Sequence, residues 1–318
     1  MINGRLNIYQ DLFHFNICFK MTTLQLATIF LNEDAAFKFS YEGNLLFDGG
    51  QCKNAPQCKG YYIIGRKNTT HNGLILRCPY CRNTTSIFYN SIFLRSKLPV
   101  STALHIIYAW SVQMNRDLAS HECHVSPDTI TNFYQSCRQA CIHWLKVEGQ
   151  PRIGGEGLTV QIDESVISKR KYNRGRLLKE RWIFGGTCTE TGERFCVSIP
   201  DRKAETLLPL IEDFIEPMSI IHSDCWKGYD RIDELDGCYV HQTVNHTQNF
   251  VDPSTGAHTQ GVERMWREVK RPCRRCEGIM ADDIEGYIAE YQWRYRCKIC
   301  MNNAFEEAIH LISGCPYY

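Results

Sequence analysis

The order of elements predicted from Leu158 onward constrains the fold of this chain more than any other feature. Polar and apolar residues alternate in the segment LTVQIDES, which begins at Leu158. Alternation with this period predicts a strand whose two faces lie in different environments. A hairpin is predicted next, in which strands over residues 182–189 and 193–199 flank the turn at Thr191-Gly192.

The pattern continues with a helix over residues 203–215, a short buried strand over residues 218–222 and another strand over residues 239–243. The turn DPSTG then precedes an amphipathic helix that ends before Pro272. Strand, hairpin, helix, strand, strand, helix is the order of an RNase H-like domain. We therefore predict an α/β fold over residues 156–312, with a mixed sheet flanked by helices.

Three acids fall at the ends of neighbouring elements in this predicted fold. Asp163 ends the first strand, Asp224 follows the buried fourth strand, and Glu263 lies in the first turn of the late helix. In-line attack on a phosphodiester is helped by two divalent ions about 3.5–4 Å apart, and Mg²⁺ takes oxygen ligands from a few carboxylates. The three acids are therefore candidate ligands of two Mg²⁺ or Mn²⁺ ions.

Neighbouring residues offer alternatives to two of these acids. Glu164 follows Asp163 directly, so the alternation predicts that its carboxylate points to the opposite face. Glu268 lies about 140° further around the helix than Glu263, and the position in the first turn is the one we favour. His258 and Asn245 are candidates for hydrogen bonding to the site, with ordinary turn hydrogen bonding as the alternative.

The net charge of +1 conceals a segregation of charge along the sequence. The connection between the first strand and Trp182 is basic, and Lys270 lies two turns beyond Glu263 on a similar face of the helix. We predict that these residues bind DNA phosphates, which would make binding depend steeply on salt; solvated surface is the alternative. The predicted contacts are Lys169, Arg170, Lys171, Arg174, Arg176 and Lys270.

Seventeen cysteines, an odd number, favour a reducing compartment over a fully paired disulfide framework. Four of them form two local pairs, Cys52 with Cys58 and Cys78 with Cys81, which can converge on one Zn²⁺ ion. We predict a zinc ribbon over residues 45–95. The five-residue gap in the first pair is longer than usual, which leaves His71 as a substitute ligand and unliganded core cysteines as the alternative interpretation.

A second set of four cysteines has a similar spacing, but we predict that these four do not share one zinc ion. Cys273 and Cys276 are separated from Cys297 and Cys300 by a segment with a helical period. A helix of about 15 residues rises about 22 Å, so the two pairs are predicted to lie at its opposite ends. Unliganded cysteines or pairing between chains are therefore favoured over a second zinc site within one chain.

Residues 100–148 are predicted to form a small helical module that resembles a helix-turn-helix and binds DNA. Ser126 and Pro127 supply an N-cap and a first helical residue for its last helix. Residues 149–157 are predicted to be a linker, and residues 1–44 form a segment of unclear role. The apolar runs are far shorter than the roughly 20 residues of a membrane-spanning helix, and no signal peptide is predicted.

Several segments resemble the catalytic domain of Merlin-type DDE transposases, which are relatives of bacterial insertion-sequence transposases that begin with a zinc ribbon. The resemblance extends from Cys52 to His310. The most specific segments are KRKYNRGR and NFVDPSTGAHTQGVE, and the others are TVQIDES, RWIFGG, IHSDCWKGY and RMWREVK.

The resemblance implies a catalytic triad of Asp163, Asp224 and Glu263 in a polynucleotidyl transferase. The implied reaction is hydrolysis at transposon ends, followed by attack of the freed 3′-hydroxyl on target DNA. Double-stranded DNA as partner, a homo-oligomeric assembly and nuclear location are also implied. The alternative is a domesticated or inactive derivative, which binds DNA without cutting it.

Overall fold

The structure is a computed structural model that describes most of the chain. It covers residues 21–46, 50–54, 56–66, 74–89, 91–94, 96–168, 181–245, 251–271, 283–299 and 303–315. Within these ranges, no helix is both long and apolar enough to cross a bilayer.

The amino-terminal half of the described chain is mainly helical and contains one small sheet. Its elements are helices α1 (Thr23–Leu31) and α2 (Glu33–Glu42), strands β1 (Ile63–Arg66), β2 (Leu74–Arg77) and β3 (Thr84–Thr85), and helices α3 (Val100–Ser111), α4 (Arg116–Cys123) and α5 (Pro127–Glu148).

The second half contains the main sheet and its helices. Its elements are β4 (Ile153–Gly154), β5 (Thr159–Ser168), β6 (Arg181–Cys188), β7 (Arg194–Ile199), α6 (Ala204–Phe214), β8 (Ile215–Glu216), β9 (Ile220–Asp224), β10 (Val240–Val244), α7 (Gln260–Val269), α8 (Ile284–Arg296) and α9 (Ala304–Ser313). The segment predicted as a linker therefore includes a short strand, β4, which pairs in parallel with β8.

The main sheet has five strands in the order β10-β9-β5-β6-β7. Strand β6 runs antiparallel to both β5 and β7, whereas β9 runs parallel to β5 and β10 runs parallel to β9. When only the five strands of this sheet are numbered along the chain, from β5 as strand 1 to β10 as strand 5, their order is 3-2-1-4-5 and strand 2 is antiparallel to its neighbours. It is the topology of an RNase H-like domain, so the predicted mixed α/β fold is confirmed.

Helices cover both faces of this sheet because alternate residues of its strands are apolar on opposite sides. On one face, Val160 and Ile162 of β5 pack with Leu207 and Ile211 of α6. On the other face, residues of α7 and α8 pack against β6 and β7 around Ile183 and Cys196. The sheet is therefore buried on both sides, and α7 lies on the face opposite α6.

A separate helical core is built from distant parts of the sequence. It joins residues of α1, α2, α3 and α5 to residues of α8 and α9. The rings of Trp110 in α3 and Trp293 in α8 are stacked with centroids 5.4 Å apart. The segment to which the sequence assigned no role contributes Leu26 and Ile29 to this core. Helices α8 and α9, within the predicted catalytic domain, thus complete the core of the helical module.

Helices α3, α4 and α5 lie within residues 100–148, the range of the predicted helical module. Ser126 caps α5 by accepting a hydrogen bond from the Thr129 backbone, with Pro127 at the first helical position. His124 ends α4 in the left-handed conformation, with a φ of 52°. This tight turn separates α4 from α5, and Ile130 packs against α3 and α4 in a small apolar cluster.

The three-stranded sheet β1-β2-β3 has a core of its own, and we call residues 50–89 the cysteine ribbon. Its two antiparallel ladders join β1 to β2 and β2 to β3. Cys52, Cys58 and Cys78 are buried there with Tyr62 and Leu76. Such a small apolar cluster provides little hydrophobic stabilisation, so the ribbon needs another source of folding energy.

Candidate active site and metal centres

The main sheet brings Asp163 and Asp224 to the same level on adjacent parallel strands. Gln161 of β5 pairs with His222 of β9, and each aspartate lies two residues further along its strand. Neighbouring strands lie about 4.8 Å apart, so these two aspartates lie next to each other. Asp224 ends β9, but the prediction that Asp163 ends its strand is wrong, because β5 stays paired with β6 as far as Ser168. The backbone N–H of Trp226 donates to Asp224 Oδ1 over 2.9 Å and fixes that carboxylate.

Helix α7 docks directly onto Asp163. The indole Nε1 of Trp266 donates to Asp163 Oδ2 over 2.8 Å, and the Trp266 ring is buried. Gly185 lies opposite Asp163 in the β5-β6 ladder. A Cβ at Gly185 would lie only 2.9 Å from Trp266 Cη2 and 2.7 Å from Met265 Cε, so glycine is what allows α7 to approach the sheet here.

A buried glutamine fastens the amino-terminal end of α7 to β5. Gln161 Oε1 accepts hydrogen bonds from the backbone N–H groups of Gly261, over 2.7 Å, and Val262, over 3.3 Å. The Gln161 side-chain nitrogen lies 3.0 Å from His258 Nδ1. Gln161 therefore satisfies two of the four N–H groups that a helix start leaves without a partner in the helix, and it does so two residues before Asp163.

Glu263 lies in the first turn of α7 on its exposed side. Thr259 Oγ1 is 3.4 Å from Glu263 Oε1, and Trp266 is three residues further along, which places it on an adjoining part of the helix surface. Glu268 is engaged elsewhere, because Arg194 Nη1 donates to its carboxylate over 2.7 Å. This ion pair supports the choice of Glu263 over Glu268.

Glu164 points to the opposite face of β5 from Asp163, as the alternation predicts. Its carboxylate accepts a hydrogen bond of 2.5 Å from the buried Tyr229 hydroxyl and lies 3.4 Å from Arg202 Nη1. The Arg202 guanidinium is 4.0 Å from the ring centroid of Trp226. Glu164 is thus part of a network beneath the site, which also holds the loop after Asp224.

The electrostatics of the site favour bound cations. Burial, together with the charges of Glu164 and Asp224, raises the pKa of Asp163 to about 7. Trp266 partly opposes this by hydrogen bonding to the carboxylate. Oxygen donors that repel one another in a partly closed site are the type of ligand that Mg²⁺ or Mn²⁺ takes, so this donor set fits the predicted metals.

The sheet brings two of the three candidate carboxylates together, and α7 carries the third. Within the described ranges, only the cysteines form a group of three or more potential ligands with donor atoms all within 4.8 Å. Asp163 and Asp224 are adjacent through the sheet, and Glu263 is linked to them through α7.

The remaining predicted residues fall into two groups. His258 contacts Gln161 through its ring and donates its backbone N–H to His222 Nδ1, while Asn245 immediately follows β10, whose last residue pairs with Asp224. Lys270 Nζ lies 2.5 Å from Ser165 Oγ, two residues along β5 from Asp163. The second group is the predicted DNA contacts Lys169, Arg170, Lys171, Arg174 and Arg176, which lie outside the described residues.

The four cysteines of the cysteine ribbon converge as the sequence predicts. Cys52 Sγ and Cys81 Sγ are 3.5 Å apart, and Cys58 Sγ and Cys78 Sγ are 3.7 Å apart. Zn–S bonds of about 2.3 Å in a tetrahedron place sulfurs about 3.8 Å apart, so the donor set fits Zn²⁺. A Cβ at Gly60 would lie 2.5 Å from Cys78 Sγ, which explains glycine at that position.

Hydrogen bonding with the Asn83 backbone lowers the pKa of Cys81 to about 7, toward the thiolate that a metal ligand requires. The substitute ligand His71 lies outside the described residues. So do Cys273, Cys276 and Cys300 of the second set. Cys297, its described member, immediately follows α8, the helix that the sequence predicts between the two pairs.

Sequence reasoning missed four residues that shape the site: Trp266, Gln161, Tyr229 and Arg202. The signal for Gln161 was present, because a polar residue within a strand that is buried on both faces needs a specific partner. Trp266 occurs three residues after Glu263, but its partner Asp163 is far away in sequence. A pattern read along the sequence does not show such a contact.

Comparison with known protein families finds a match in the part of the sequence that carries this site. Residues 153–296 match the family model of the ISXO2-like transposase domain. This range includes all three carboxylates and supports a transposase-type function in DNA processing. Over 101 residues the chain is 29% identical to an uncharacterized transposase-like protein of Haemophilus influenzae, covering 32% of this chain and 79% of that protein.

Two solved structures of integrase catalytic core domains are also similar to part of this chain. The catalytic core domain of BIV integrase is 17% identical, with a TM-score of 0.28 over 41% of this chain and 80% of that one. The HTLV-2 integrase catalytic core domain, solved in complex with magnesium in a trimeric form, is 14% identical. Its TM-score is 0.28 over 44% of this chain and 84% of that one.

Proposed function

We propose that this chain is a Merlin-type DDE transposase that cuts DNA at transposon ends and joins the freed ends to target DNA. The observation that carries the proposal is the position of Asp163 and Asp224, each two residues beyond the paired Gln161 and His222 on adjacent parallel strands. Helix α7, which carries Glu263, contacts Asp163 through Trp266. The match to the ISXO2-like transposase domain over the same residues supports this class of reaction.

In this proposal Asp163, Asp224 and Glu263 hold two Mg²⁺ or Mn²⁺ ions. When bound, the ions activate the attacking oxygen and stabilise the leaving oxygen. Trp266 keeps the Asp163 carboxylate oriented, and the Trp226 backbone does the same for Asp224. These hydrogen bonds hold the carboxylates in place before substrate arrives, which avoids reorganisation during the reaction.

Two successive displacements at phosphorus make up the proposed reaction. In the first, a water oxygen bonds to the phosphorus at the transposon end and the bond to the 3′-oxygen breaks, which leaves a 3′-hydroxyl. In the second, that hydroxyl oxygen bonds to a target phosphorus and displaces a 3′-oxygen of the target strand. Each displacement forms one P–O bond and breaks one, so no external energy source is needed.

The proposal extends to the partners and the location of the protein. The cysteine ribbon holds one structural Zn²⁺ ion through Cys52, Cys58, Cys78 and Cys81. Together with the α3–α5 module it binds the ends of the transposon, and basic residues such as Lys270 bind DNA near the active site. The protein acts as a homo-oligomer that holds two DNA ends, in the nucleus.

A plasmid that carries the genomic sequences on both sides of the gene, which the proposal expects to contain inverted repeats, tests the proposal. With Mg²⁺ or Mn²⁺, the wild type should release 3′-hydroxyl ends, and Asp224→Asn should bind the plasmid without cutting it. The matched control is Asp236→Asn, which removes an exposed carboxylate away from the site and should cut normally. Binding by wild type and Asp224→Asn with cutting by neither would instead support the domesticated, non-cutting alternative.

A further inference from the structure

The cysteine ribbon lies within a long segment that has no acidic residue. Between Asp48 and Asp117 the sequence contains no Asp or Glu, although the chain has 35 acids among 318 residues. The same segment contains nine basic residues: Lys53, Lys59, Arg66, Lys67, Arg77, Arg82, Arg95, Lys97 and Arg116. An imbalance of this kind produces a strong local positive potential in a chain whose total charge is close to zero.

Four of these cations directly adjoin the metal-binding cysteines in sequence: Lys53, Lys59, Arg77 and Arg82. All four are exposed, and none has an ion-pair partner among the described residues. A Zn²⁺ ion with four thiolates has a formal charge of about −2, which offsets only part of this positive charge. The ribbon therefore keeps an excess of positive charge at its surface.

The outer face of the ribbon sheet also exposes large apolar side chains. Ile63 of β1 lies directly opposite Arg77 of β2, which lies opposite Thr84 of β3, so these three share one face. Ile63 is 54% exposed, and Tyr61, two residues earlier, is 64% exposed. The ribbon core, around Leu76, is on the other face. The exposed side chains therefore contribute nothing to that core.

The ribbon exposes a second tyrosine. Tyr80 is 78% exposed, and its ring lies beside Gly60, where a Cβ would be 3.0 Å from Tyr80 Cδ2. We define the ribbon face as Tyr61, Ile63, Arg77 and Tyr80 with the flanking cations Lys53, Lys59 and Arg82. These exposed residues combine aromatic side chains with positive charges that have no ion-pair partner among the described residues.

We propose that the ribbon face binds the sugar–phosphate backbone of double-stranded DNA. Lys and Arg side chains without acidic partners are free to neutralise phosphates and release counterions, while the tyrosines and Ile63 contact deoxyribose. The proposal rests on the proposed function for the choice of DNA, and on the charge and exposure of the face for its location. Because phosphate contacts carry no sequence information, this surface contributes affinity and orientation.

Salt dependence of DNA binding tests the proposal in the full-length protein. The probe is a fluorescently labelled duplex of random sequence, and the variant is Lys59→Gln with Arg77→Gln. Each lost phosphate contact should reduce the slope of log K against log salt by about 0.9, so the double variant should lose about 1.8. The zinc content must remain that of the wild type, which shows that the ribbon is still folded.

A matched control replaces two exposed cations that have acidic partners elsewhere. Lys38 pairs with Glu42 and Arg231 pairs with Glu234, so Lys38→Gln with Arg231→Gln should leave the slope unchanged. Tyr80→Ala, which leaves the charge unchanged, should weaken duplex binding without changing the slope. A ribbon variant that retains zinc and the wild-type slope would overturn the proposal, and so would an equal loss in the control.

Other polyanions are separate outcomes of the same experiment. If Lys59→Gln with Arg77→Gln loses binding to phosphatidylserine vesicles or single strands but keeps its duplex affinity, the ribbon face is not a surface for double-stranded DNA. Failure of the proposed function looks different, because the wild type would bind duplex through the ribbon face but would not cut it with Mg²⁺ or Mn²⁺. The binding and cutting assays therefore separate the two proposals.

Discussion

Asp163 is held in position by groups that do not neutralise it. Trp266 donates a neutral hydrogen bond to its carboxylate, whereas the nearby charges of Glu164 and Asp224 oppose its ionisation. In an unfolded chain an aspartate has a pKa of about 3.9, and in the folded protein without metal the pKa of Asp163 is about 7. Folding thus costs free energy whenever this carboxylate is ionised.

We predict that Asp163→Asn makes the metal-free protein more thermally stable while it abolishes DNA cutting. Because the pKa of Asp163 is raised on folding, the destabilisation by Asp163 should grow as the pH rises from about 4 to about 7 and be complete above that. The gain in melting temperature should therefore be a few degrees at pH 8 and negligible near pH 4. Differential scanning calorimetry at the two pH values measures it.

Metal binding provides the control for this prediction. Mg²⁺ or Mn²⁺ should stabilise the wild type more than the Asp163→Asn protein, because the variant has lost one anionic ligand. If the variant melts at a lower temperature than the metal-free wild type at pH 8, the interpretation that ionised Asp163 destabilises the folded protein is wrong.

At the scale of single elements, the orientation of α7 depends on one side chain from the sheet. Gln161 occupies two N–H groups at the start of the helix and is completely buried. The helix cannot rotate or slide along the sheet without breaking these hydrogen bonds. Glu263, one residue after Val262, therefore depends on Gln161 for its position.

We predict that Gln161→Ala lowers the free energy of unfolding by about 1–3 kcal/mol, because it leaves buried N–H groups without an acceptor. DNA cutting should fall more than DNA binding, since the substitution moves Glu263 and leaves the basic surfaces intact. Urea denaturation and the two DNA assays measure these effects. Gln139→Ala, at an exposed position of α5, is the matched control and should change stability by less than about 0.5 kcal/mol.

The cysteine ribbon yields a second prediction at this scale. Purified full-length protein should contain one zinc per chain by elemental analysis, and Cys78→Ser should contain none. Ribbon stability should fall with the loss of metal, because folding and metal binding are coupled in so small a unit. Cys238→Ser, at an exposed cysteine away from the ribbon, should retain its zinc. Wild-type protein without zinc would contradict the prediction.

Element types followed from local patterns, whereas contacts between elements did not. Period-two alternation and the Thr191-Gly192 turn predicted the first strands of the main sheet, and the Ser126-Pro127 signal predicted the start of α5. The same patterns marked Trp266 only as an apolar residue, because its hydrogen bond to Asp163 depends on how α7 packs against the sheet. The ion pair of Glu268 with Arg194 likewise joins elements that are far apart in sequence.

At the scale of the whole molecule, a buried ion pair joins the helical module to the start of α8. Arg138 of α5 donates to Asp283 Oδ2 over 2.7 Å from Nε and 2.6 Å from Nη2, and its guanidinium lies over the Tyr287 ring. Arg294 of α8 donates to the backbone oxygens of Trp110 and Ser111 at the end of α3. These contacts fix α3 and α5 to the chain that follows α7, the helix of the candidate active site.

We predict that Asp283→Ala lowers the free energy of unfolding by about 3–5 kcal/mol, because it leaves the Arg138 charge buried without its partner. The side chains of this pair are only 7% and 10% exposed. Glu234→Ala is the matched control, since it breaks an Arg231–Glu234 pair whose side chains are 67% and 63% exposed, and it should cost at most about 1 kcal/mol. Denaturant titration of both variants tests the difference.

The domain boundaries predicted from sequence follow the order of the chain, but the packing does not. Helices α1 and α2 come first, α8 and α9 come last, and all four meet in one helical core. No local pattern encodes that meeting, since each of these helices presents only an apolar face without specifying its partner. The main sheet, by contrast, is built from consecutive residues and was therefore easier to predict.

This arrangement has a consequence for the order of folding during synthesis. A ribosome completes all five strands of the main sheet at Val244, before it has made α8 or α9. The apolar surface of the helices around Trp110 therefore stays exposed until Trp293 and Phe305 have been synthesised. The strands that carry the candidate catalytic aspartates are thus complete before α7 and α8 cover their second face, and the module proposed to bind DNA ends is completed last.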